Sequence, residues 1–194
     1  ITVGDVLIGL PSAGVHSNGY SLVRRLAESE KIAWGDAAPW APATTFGEAL
    51  LTPTRIYVKS VLAAIEATGG ASDGAVKGLS HITGGGLSEN LPRVLPDTVA
   101  AAVDLSAIVV PPVFGWLAKA GRLDDAEMLR TFNCGIGMVA IADKARAGEV
   151  VAALTEAGEA PVVLGEIIEP TGEKSDAKGK GEAWAVKYEG RLRY

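Results

Sequence analysis

Two glycine-rich turns, each joining a strand-like apolar run to a helix-like run, constrain the fold of this chain most strongly. The first spans residues 11–20 with the sequence PSAGVHSNGY, and the second spans residues 81–90 with the sequence HITGGGLSEN. A strand–turn–helix junction aims backbone N–H groups at one spot, which suits a phosphate or another anion. Both histidines of the chain, His16 and His81, lie in these turns. The turns are therefore the first candidates for chemistry.

Apolar periodicity along the chain predicts strands that alternate with helices. Strands are predicted at Val6–Leu10, Ala75–Ile82, Thr98–Asp104, Cys134–Ala142, Val162–Ile168 and Ala183–Tyr188. Helices are predicted at Tyr20–Glu30, after Pro53 with Thr52 or Thr54 as its cap, at Leu87–Leu91, from Pro111-Pro112 to Lys119, from Asp124-Asp125 onward and at Ala145–Ala157. This order predicts one α/β domain over residues 1–194, with a mixed sheet of about six strands covered by helices. Residues 31–47 are predicted as a surface loop and residues 172–181 as a mobile hairpin loop.

Composition narrows the class of protein. Hydrophobic residues make up 48% of the 194 residues, which is enough for a large core without disulfides or metals. The net charge of −5, with no cluster of Lys and Arg, argues against nucleic acid as a partner. A single cysteine, Cys134, excludes an internal disulfide and favours a reducing compartment, hence the cytoplasm. No apolar run approaches the roughly 20 residues of a membrane span, so no membrane partner is expected.

The beginning of the chain predicts that it is a piece of a longer polypeptide. It opens on Ile1 rather than Met and enters the strand-like run Val6–Leu10 almost at once. A processed mature N-terminus is the alternative, although no cleavage signal is visible.

The first turn combines His16, Ser17, Asn18 and Gly19. His16 can donate to a phosphate, orient one, or move a proton near neutral pH. Ser17 and Asn18 add further polar groups at the start of the following helix. In the alternative interpretation, Asn18 and Gly19 only supply the unusual backbone angles of a tight turn.

The second turn contains three consecutive glycines, which cost backbone entropy on folding. A chain usually tolerates that cost where a ligand must come close to the backbone. His81 and Thr83 would face the same side of a strand, and Asn90 lies one helical turn beyond the glycines. The candidate ligand contacts are His81, Thr83, Gly84, Gly85, Gly86 and Asn90. The turn is not a P-loop, because no Gly-Lys-Ser/Thr follows, and it lacks the glycine spacing of a dinucleotide fold.

Three further observations concern Arg55, Cys134 and metals. Arg55 follows Pro53 near a predicted helix start and could bind a phosphate or carboxylate, although its position alone favours a solvated arginine. Cys134 lies in an apolar strand-like segment, so we interpret it as a buried structural thiol rather than a nucleophile. Two separated histidines and one cysteine give no metal-ligand spacing, and no metal site is predicted.

Six segments together resemble the AIR synthetase (phosphoribosylformylglycinamidine cyclo-ligase) family of de novo purine synthesis. They are Gly4–Leu10, Gly14–Arg24, Pro53–Tyr57, His81–Gly86, Glu89–Pro96 and Arg130–Gly135. Their order and spacing fit the family along most of the chain. Ala13 stands where relatives often have a second serine, and residues 31–47 and 172–181 match poorly.

The resemblance implies that this chain is the C-terminal domain of a two-domain enzyme. An upstream domain would hold ATP with Mg²⁺ through acidic residues and would supply most of a homodimer interface, so this chain alone should be inactive. The implied reaction closes the imidazole ring of formylglycinamidine ribonucleotide with ATP, giving aminoimidazole ribonucleotide, ADP and phosphate. Alternatives are the related FGAM synthetase, a selenophosphate- or thiamine-phosphate kinase-like domain, and a non-catalytic module that binds a phosphate ligand.

The family also implies roles for individual residues of the two turns. His16 and Asn18 are implied as catalytic, while Ser17 and Gly19 should face the reacting phosphate or the substrate. Thr83 and Gly84–Gly86 should cradle the ribose phosphate. The supporting candidates are His81, Asn90 and Arg55. The resemblance assigns no general base.

Overall fold

The computed structural model describes residues 1–177 and 181–194. The strands are β1 Val6–Pro11, β2 Ala37–Ala38, β3 Ala41–Thr45, β4 Val76–His81, β5 Ala100–Asp104, β6 Ile136–Ala142, β7 Val162–Ile168, β8 Lys174–Ala177, β9 Gly181–Trp184 and β10 Lys187–Glu189. The α-helices are α1 Tyr20–Ser29, α2 Phe46–Leu50, α3 Val58–Ala67, α4 Gly70–Asp73, α5 Gly86–Asn90, α6 Pro112–Gly121, α7 Asp125–Thr131 and α8 Ala147–Glu156.

Six of these strands form one mixed sheet in the order β10–β5–β7–β1–β6–β4. Successive side chains of a strand point to opposite faces, and the core divides accordingly. Leu7 and Ile141 pack on one face with α1, α2 and α5–α7, whereas Ile8 and Ala140 pack on the other with α3 and α8. The prediction of an α/β fold with about six strands is confirmed.

The topology places two strand ends side by side. Strands β1 and β4 both pair antiparallel with β6, which lies between them, so β1 and β4 run parallel to each other. Pro11 pairs with Ile136 and His81 pairs with Met138, so both strands end beside the start of β6. The glycine-rich turns that follow β1 and β4 therefore lie at the same edge of the sheet.

The prediction that residues 31–47 form a loop is wrong, although the segment does lie at the surface, with only Ala38 and Phe46 buried. This segment forms the β2–β3 hairpin and begins α2. Its aromatic side chains pack with an aromatic residue from α6, with ring centroids between 5.2 and 5.6 Å apart, in a cluster of Trp34, Trp40, Phe46 and Trp116. Trp116 is distant in sequence, so local turn signals alone could not reveal this cluster.

Two predicted boundaries also differ. Helix α3 begins at Val58 with Tyr57 as its N-cap and no side-chain cap, so neither Thr52 nor Thr54 caps it. Strand β6 begins at Ile136 rather than Cys134, because Cys134 and Gly135 have positive φ angles of 49° and 107°.

The C-terminal region differs from the prediction in its pairing. The single strand predicted over Ala183–Tyr188 is two strands: β9 pairs with β8, and β10 extends the large sheet beside β5. The predicted mobile loop at 172–181 includes residues 178–180, which lie outside the described residues, so its mobility stays a prediction. Within the described part of the chain, none of the helices combines the length and apolar character needed to cross a membrane.

Candidate functional site

The two glycine-rich turns touch at the sheet edge. Asn18 Nδ2 donates to the Ile82 carbonyl oxygen at 3.5 Å, which links the first turn to the strand end before the second. Asn18 is itself buried. The structure thus brings together the predicted residues of both turns, while their contact with a ligand stays a prediction.

His16 is the buried centre of the first turn, with 4% of its surface exposed and a φ of 55°. Its Nε2 accepts from the backbone N–H groups of Ala13, at 3.0 Å, and Arg55, at 3.4 Å. Because both partners are donors, Nε2 carries no proton and the neutral ring carries its proton on Nδ1. Among the residues described, none accepts a hydrogen bond from the buried Nδ1.

The surroundings of His16 favour this neutral ring. Burial lowers the pKa of His16 below its ordinary value, and the nearby charges of His81 and Arg55 lower it further. A neutral ring with its proton on Nδ1 can donate to an acceptor. Of the three roles that the sequence left open for His16, donation or orientation therefore fits this geometry better than proton transfer.

Tyr57 lies between the two histidines. Its hydroxyl donates to the Pro11 carbonyl oxygen at 2.8 Å, and its ring centroid lies 6.5 Å from that of His16 and 6.4 Å from that of His81. Burial raises the pKa of Tyr57, which keeps the donor proton in place. Gly137 of β6 supports this group, because a Cβ there would overlap the Tyr57 hydroxyl and lie 2.8 Å from His16 Cε1. The sequence signal for Tyr57 was its place in Pro53–Tyr57.

Arg55 is held by a carboxylate rather than surrounded by solvent. Its Nη2 lies 2.8 Å from Glu159 Oε2, and the Glu159 side chain is only 4% exposed. Ser60 Oγ donates to the other oxygen, Oε1, at 2.6 Å. The guanidinium carbon lies 6.0 Å from the centroid of the Tyr57 ring. Sequence reasoning missed Glu159, because an acidic residue after a helix carries no signal that it is buried.

Ser17 and Gly19 complete the first turn in different ways. Ser17 is exposed, and its Oγ lies 3.5 Å from Thr54 Oγ1. Gly19 is the N-cap of α1 with a φ of 71°, and a Cβ there would overlap the Phe132 ring. The fold therefore requires Gly19. Beside this turn lies a cleft of about 330 Å³ lined by His16, Ser17, Tyr20, Arg24, Leu51, Thr52, Pro53 and Thr54.

Asn90 holds the second turn together from its own helix. Its Nδ2 donates to the carbonyl oxygens of Thr83 and Gly84, both at 3.2 Å, and of Gly86, at 2.8 Å. Its Oδ1 accepts from Thr83 Oγ1 at 3.1 Å and from Arg93 Nη1 at 2.9 Å. These bonds occupy both polar atoms of Asn90, so its position fits a support for the turn better than a direct ligand contact.

The three glycines of the second turn serve different needs. Gly86 has a φ of 55°, and a Cβ there would overlap the Leu129 carbonyl oxygen. Gly85 is the N-cap of α5 with a φ of 99°. Gly84 is exposed and has no atom of the described residues within 4 Å of the position that a Cβ would take. Gly84 is thus the glycine whose surroundings leave room for a ligand.

Asn133 joins the first turn to the start of β6. Its Nδ2 donates to the Gly14 carbonyl oxygen at 2.8 Å, and its Oδ1 accepts from Ser12 Oγ at 2.8 Å and from the Gly135 N–H at 2.9 Å. The adjacent Cys134 is fully buried, and burial raises the pKa of its thiol. The prediction that Cys134 is buried is confirmed, and its interpretation as a structural thiol stays a prediction.

An apolar cleft of about 480 Å³ extends from the sheet edge along α3. Arg55, Tyr57 and His81 are its polar wall, and the remaining lining is Thr54, Ile56, Val58, Val61, Leu62, Ile65, Leu79 and Met138. Residues 1–177 and 181–194 include no group of three or more His, Cys, Asp or Glu side chains that could hold a metal ion.

Comparison with known proteins places this arrangement in a family. Residues 2–178 match the family described as AIR synthase related protein, C-terminal domain. The chain belongs to this family. The matched range accordingly includes both glycine-rich turns and five of the six strands of the large sheet, and it ends before β10.

Solved structures share the fold of this AIR synthase related domain. The hydrogenase maturation protein HypE of E. coli matches with a TM-score of 0.50 and 18% identity over 95% of this chain and 50% of its own chain. Thiamine-monophosphate kinase from Stenotrophomonas maltophilia K279a matches with a TM-score of 0.56 and 16% identity over 99% of this chain and 52% of its own. The chain therefore spans about half the length of these relatives.

Proposed function

We propose that this domain is the substrate-binding half of an ATP-dependent cyclo-ligase. The enzyme would close the imidazole ring of formylglycinamidine ribonucleotide and release aminoimidazole ribonucleotide, ADP and phosphate. One observation carries the proposal: segments that are distant in sequence, and that carry the resemblance to AIR synthetase, meet at one sheet edge. Gly14–Arg24 contacts Pro53–Tyr57 through His16, His81–Gly86 through Asn18, and Arg130–Gly135 through Gly14.

The reaction requires that an oxygen become a leaving group. In the proposed mechanism, ATP converts the formyl oxygen of the substrate into a phosphate ester, and an amidine nitrogen then attacks the same carbon and displaces phosphate. In the transition states of these two steps, negative charge develops on the transferred phosphate and on the leaving oxygen. Fixed donors aimed at such charge are the most effective kind of catalytic group in many enzymes.

Residues of this chain would supply such donors. His16 presents an Nδ1–H that has no acceptor among the described residues and sits in a rigid turn. Asn18, adjacent to the second turn, orders the contact between the two turns. Arg55 adds a positive charge, and the open backbone at Gly84 leaves room for the ribose phosphate. Following the resemblance to AIR synthetase, we assign the ligands of Mg²⁺ to an upstream domain.

A substrate panel on the full-length parent enzyme tests the reaction class. We expect ADP release with formylglycinamidine ribonucleotide alone, together with the product of ring closure. ADP release with thiamine monophosphate or with selenide, and none with formylglycinamidine ribonucleotide, would instead assign the enzyme to a kinase-like relative. The absence of ADP release with every compound would favour a module that only binds a phosphate ligand.

Two substitutions of His16 test its role in the parent enzyme. In His16→Gln, the side-chain oxygen can still accept from Ala13 and Arg55, but the donor at Nδ1 is lost. We expect kcat to fall by about 10²–10³-fold, as when other enzymes lose one transition-state donor. His16→Asn keeps a donor near Nδ1 and loses the acceptor, so it should retain more activity and less stability. Unchanged kinetics in His16→Gln would reduce His16 to a turn residue.

A further inference from the structure

We propose that Glu159 is a positioning residue of the site: through Arg55 it fixes the segment whose backbone holds His16 with its proton on Nδ1. The inference about the ring of His16 rests on geometry alone. Its consequence for turnover rests on the proposed function.

Glu159 is a rigid and buried anchor. It follows α8, where its N–H donates to the Leu154 carbonyl oxygen at 3.0 Å and where Gly158, with a φ of 87°, turns the chain. Ser60 donates a hydrogen bond to Oε1, and Arg55 Nη2 lies 2.8 Å from Oε2 as an ion pair without hydrogen-bond geometry. A buried carboxylate without its partners would be strongly unfavourable, so Arg55 is firmly held.

The segment that Glu159 holds has no regular structure of its own. Residues 52–57 form neither helix nor strand, so side-chain contacts fix their position. Tyr57 anchors the end of the segment to Pro11, and Thr54 makes only an exposed contact of 3.5 Å with Ser17. Arg55, the residue bound to Glu159, is the one whose own N–H reaches His16 Nε2. Glu159 therefore controls the placement of that N–H.

The two N–H donors on Nε2 decide which nitrogen of His16 carries the proton. If the Arg55 backbone moves away, Nε2 keeps only the N–H of Ala13, which weakens both the constraint on the ring's direction and the preference for the tautomer protonated on Nδ1. The Nδ1–H donor would then lose its fixed direction. A displacement of about 1 Å at a reacting group can lower the reaction rate on the order of 10²-fold.

Nitrogen NMR of the histidine rings in this chain tests the geometry directly. Only His16 and His81 contribute signals, so His81 serves as an internal reference. In the wild type, we expect His16 as a single neutral tautomer protonated on Nδ1. In Glu159→Ala, we expect a second tautomer or exchange-broadened signals of His16, while the signals of His81 stay in place.

A matched control lies on the helix that precedes Glu159. Glu149 also pairs with an arginine, Arg146, at 2.8 Å, but this pair is at the surface, near the end of β6 opposite to the end that pairs with Pro11. Glu149→Ala should leave the His16 signals unchanged. If Glu149→Ala changes them as Glu159→Ala does, or if folded Glu159→Ala has the wild-type His16 spectrum, the positioning role is refuted.

Two further variants keep the test decisive. Glu159→Gln can still bond to Ser60 and Arg55, so it should largely restore the single tautomer. If Glu159→Ala does not fold, Glu159→Asp replaces it, because Asp keeps the charge beside Arg55 but withdraws the oxygens by one methylene. The His16 signals of Glu159→Asp should then show the second tautomer, and wild-type signals in folded Glu159→Asp would overturn the proposal.

Kinetics of the parent enzyme separate this inference from the proposed function. We expect Glu159→Ala to lower kcat by about 10–100-fold with little change in KM, and Glu159→Gln to recover most of it. A changed tautomer in a parent without cyclo-ligase activity would refute the reaction and retain the positioning role. Cyclo-ligase activity with an unchanged tautomer in Glu159→Ala would refute the positioning role alone.

Discussion

The two glycine-rich turns look alike in sequence but are built differently. The first turn is held from outside: Asn133 reaches it from one segment, and Tyr57 and the Arg55 backbone reach it or the adjacent strand end from another. The second turn is held mainly from within, because Asn90 of the following helix bonds to three of its carbonyl groups. The first turn can therefore respond to distant parts of the chain, whereas the hydrogen bonds that shape the second turn come mainly from its own helix.

This difference changes what glycine means at each position. Gly19, Gly86 and Gly137 are required by neighbouring groups that leave no space for a side chain, while Gly84 borders open space. Glycine content alone therefore does not identify a ligand contact. The predictions below test the contrast between the turns in order of expected effect.

Gly86→Ala should have the largest effect on stability. Its Cβ would meet the carbonyl oxygens of Leu129 and Phe132, and backbone atoms cannot move aside as a flexible side chain can. Alanine is also strained at the positive φ of Gly86, so we expect a loss of about 3 kcal/mol or more in the free energy of unfolding. Urea denaturation of this chain measures the effect. A loss below about 1 kcal/mol would contradict the tight packing of the second turn against α7.

Replacement of the two buried asparagines tests whether one turn is local and the other cross-linked. Asn90→Ala and Asn133→Ala should each cost about 2–3 kcal/mol, because each leaves buried polar groups unpaired. Hydrogen exchange should then distinguish them. Asn90→Ala should speed exchange only over 83–90, whereas Asn133→Ala should speed it both at 12–19 and at the start of β6. If hydrogen exchange in Asn133→Ala becomes faster in only one of these two segments, the first turn is not cross-linked to β6 as described.

The pH dependence of stability should report the first turn. Because burial lowers the pKa of His16 below its ordinary 6.5, the unfolded chain binds more protons than the folded chain just below that pH. The contribution of His16 to the free energy of unfolding is fully present above its ordinary pKa, and it is lost as the pH falls toward the lowered pKa of the folded state. The slope for one group is at most about 1.4 kcal/mol per pH unit. Urea titrations of His16→Gln should show a flatter slope than wild type between pH 7.5 and 5.5, and an equal slope would contradict the assignment.

Gly84→Ala should have the smallest effect on stability, within about 0.5 kcal/mol, because nothing described lies near the added methyl group. It also serves as the control for Gly86→Ala. In the parent enzyme, the methyl group would enter the space that we assign to the ribose phosphate. We therefore expect KM for the substrate to rise about tenfold, a cost of about 1.4 kcal/mol, and an unchanged KM would move the phosphate elsewhere.

The sequence was sufficient where structure depends on local patterns. Alternation and helical periodicity predicted five of the six strands of the large sheet near their observed bounds, because buried apolar runs dominate them. The small strand β10 was merged with β9, since too few residues carry its pattern. The sequence does not reveal the hairpin over 31–47, since Trp40 and Phe46 pack against Trp116, which is distant in sequence.

The sequence predicts which residues belong to the candidate site, but it does not predict which side chains they contact. The sequence named His16, Arg55 and Asn90, yet it could not show that Arg55 would meet a buried Glu159 or that Asn90 would turn inward. Both facts depend on where side chains point after the sheet has formed. Tyr57 lies in the segment Pro53–Tyr57, which carries part of the resemblance. A tyrosine beside a helix start gives no sign, however, that its hydroxyl donates to the end of β1.

Strand β6 also sets a length scale for whatever binds at the sheet edge. Because it separates β1 from β4, the backbones that lead into the two turns are two strand spacings apart, or roughly 10 Å. At that spacing, a lone inorganic phosphate is too small to contact both strand ends at once. A molecule that contacts both must carry its recognised groups about that far apart, as a ribonucleotide does between its phosphate and its base. If ligands bind here as proposed, we expect the edge to distinguish them by span as well as by charge.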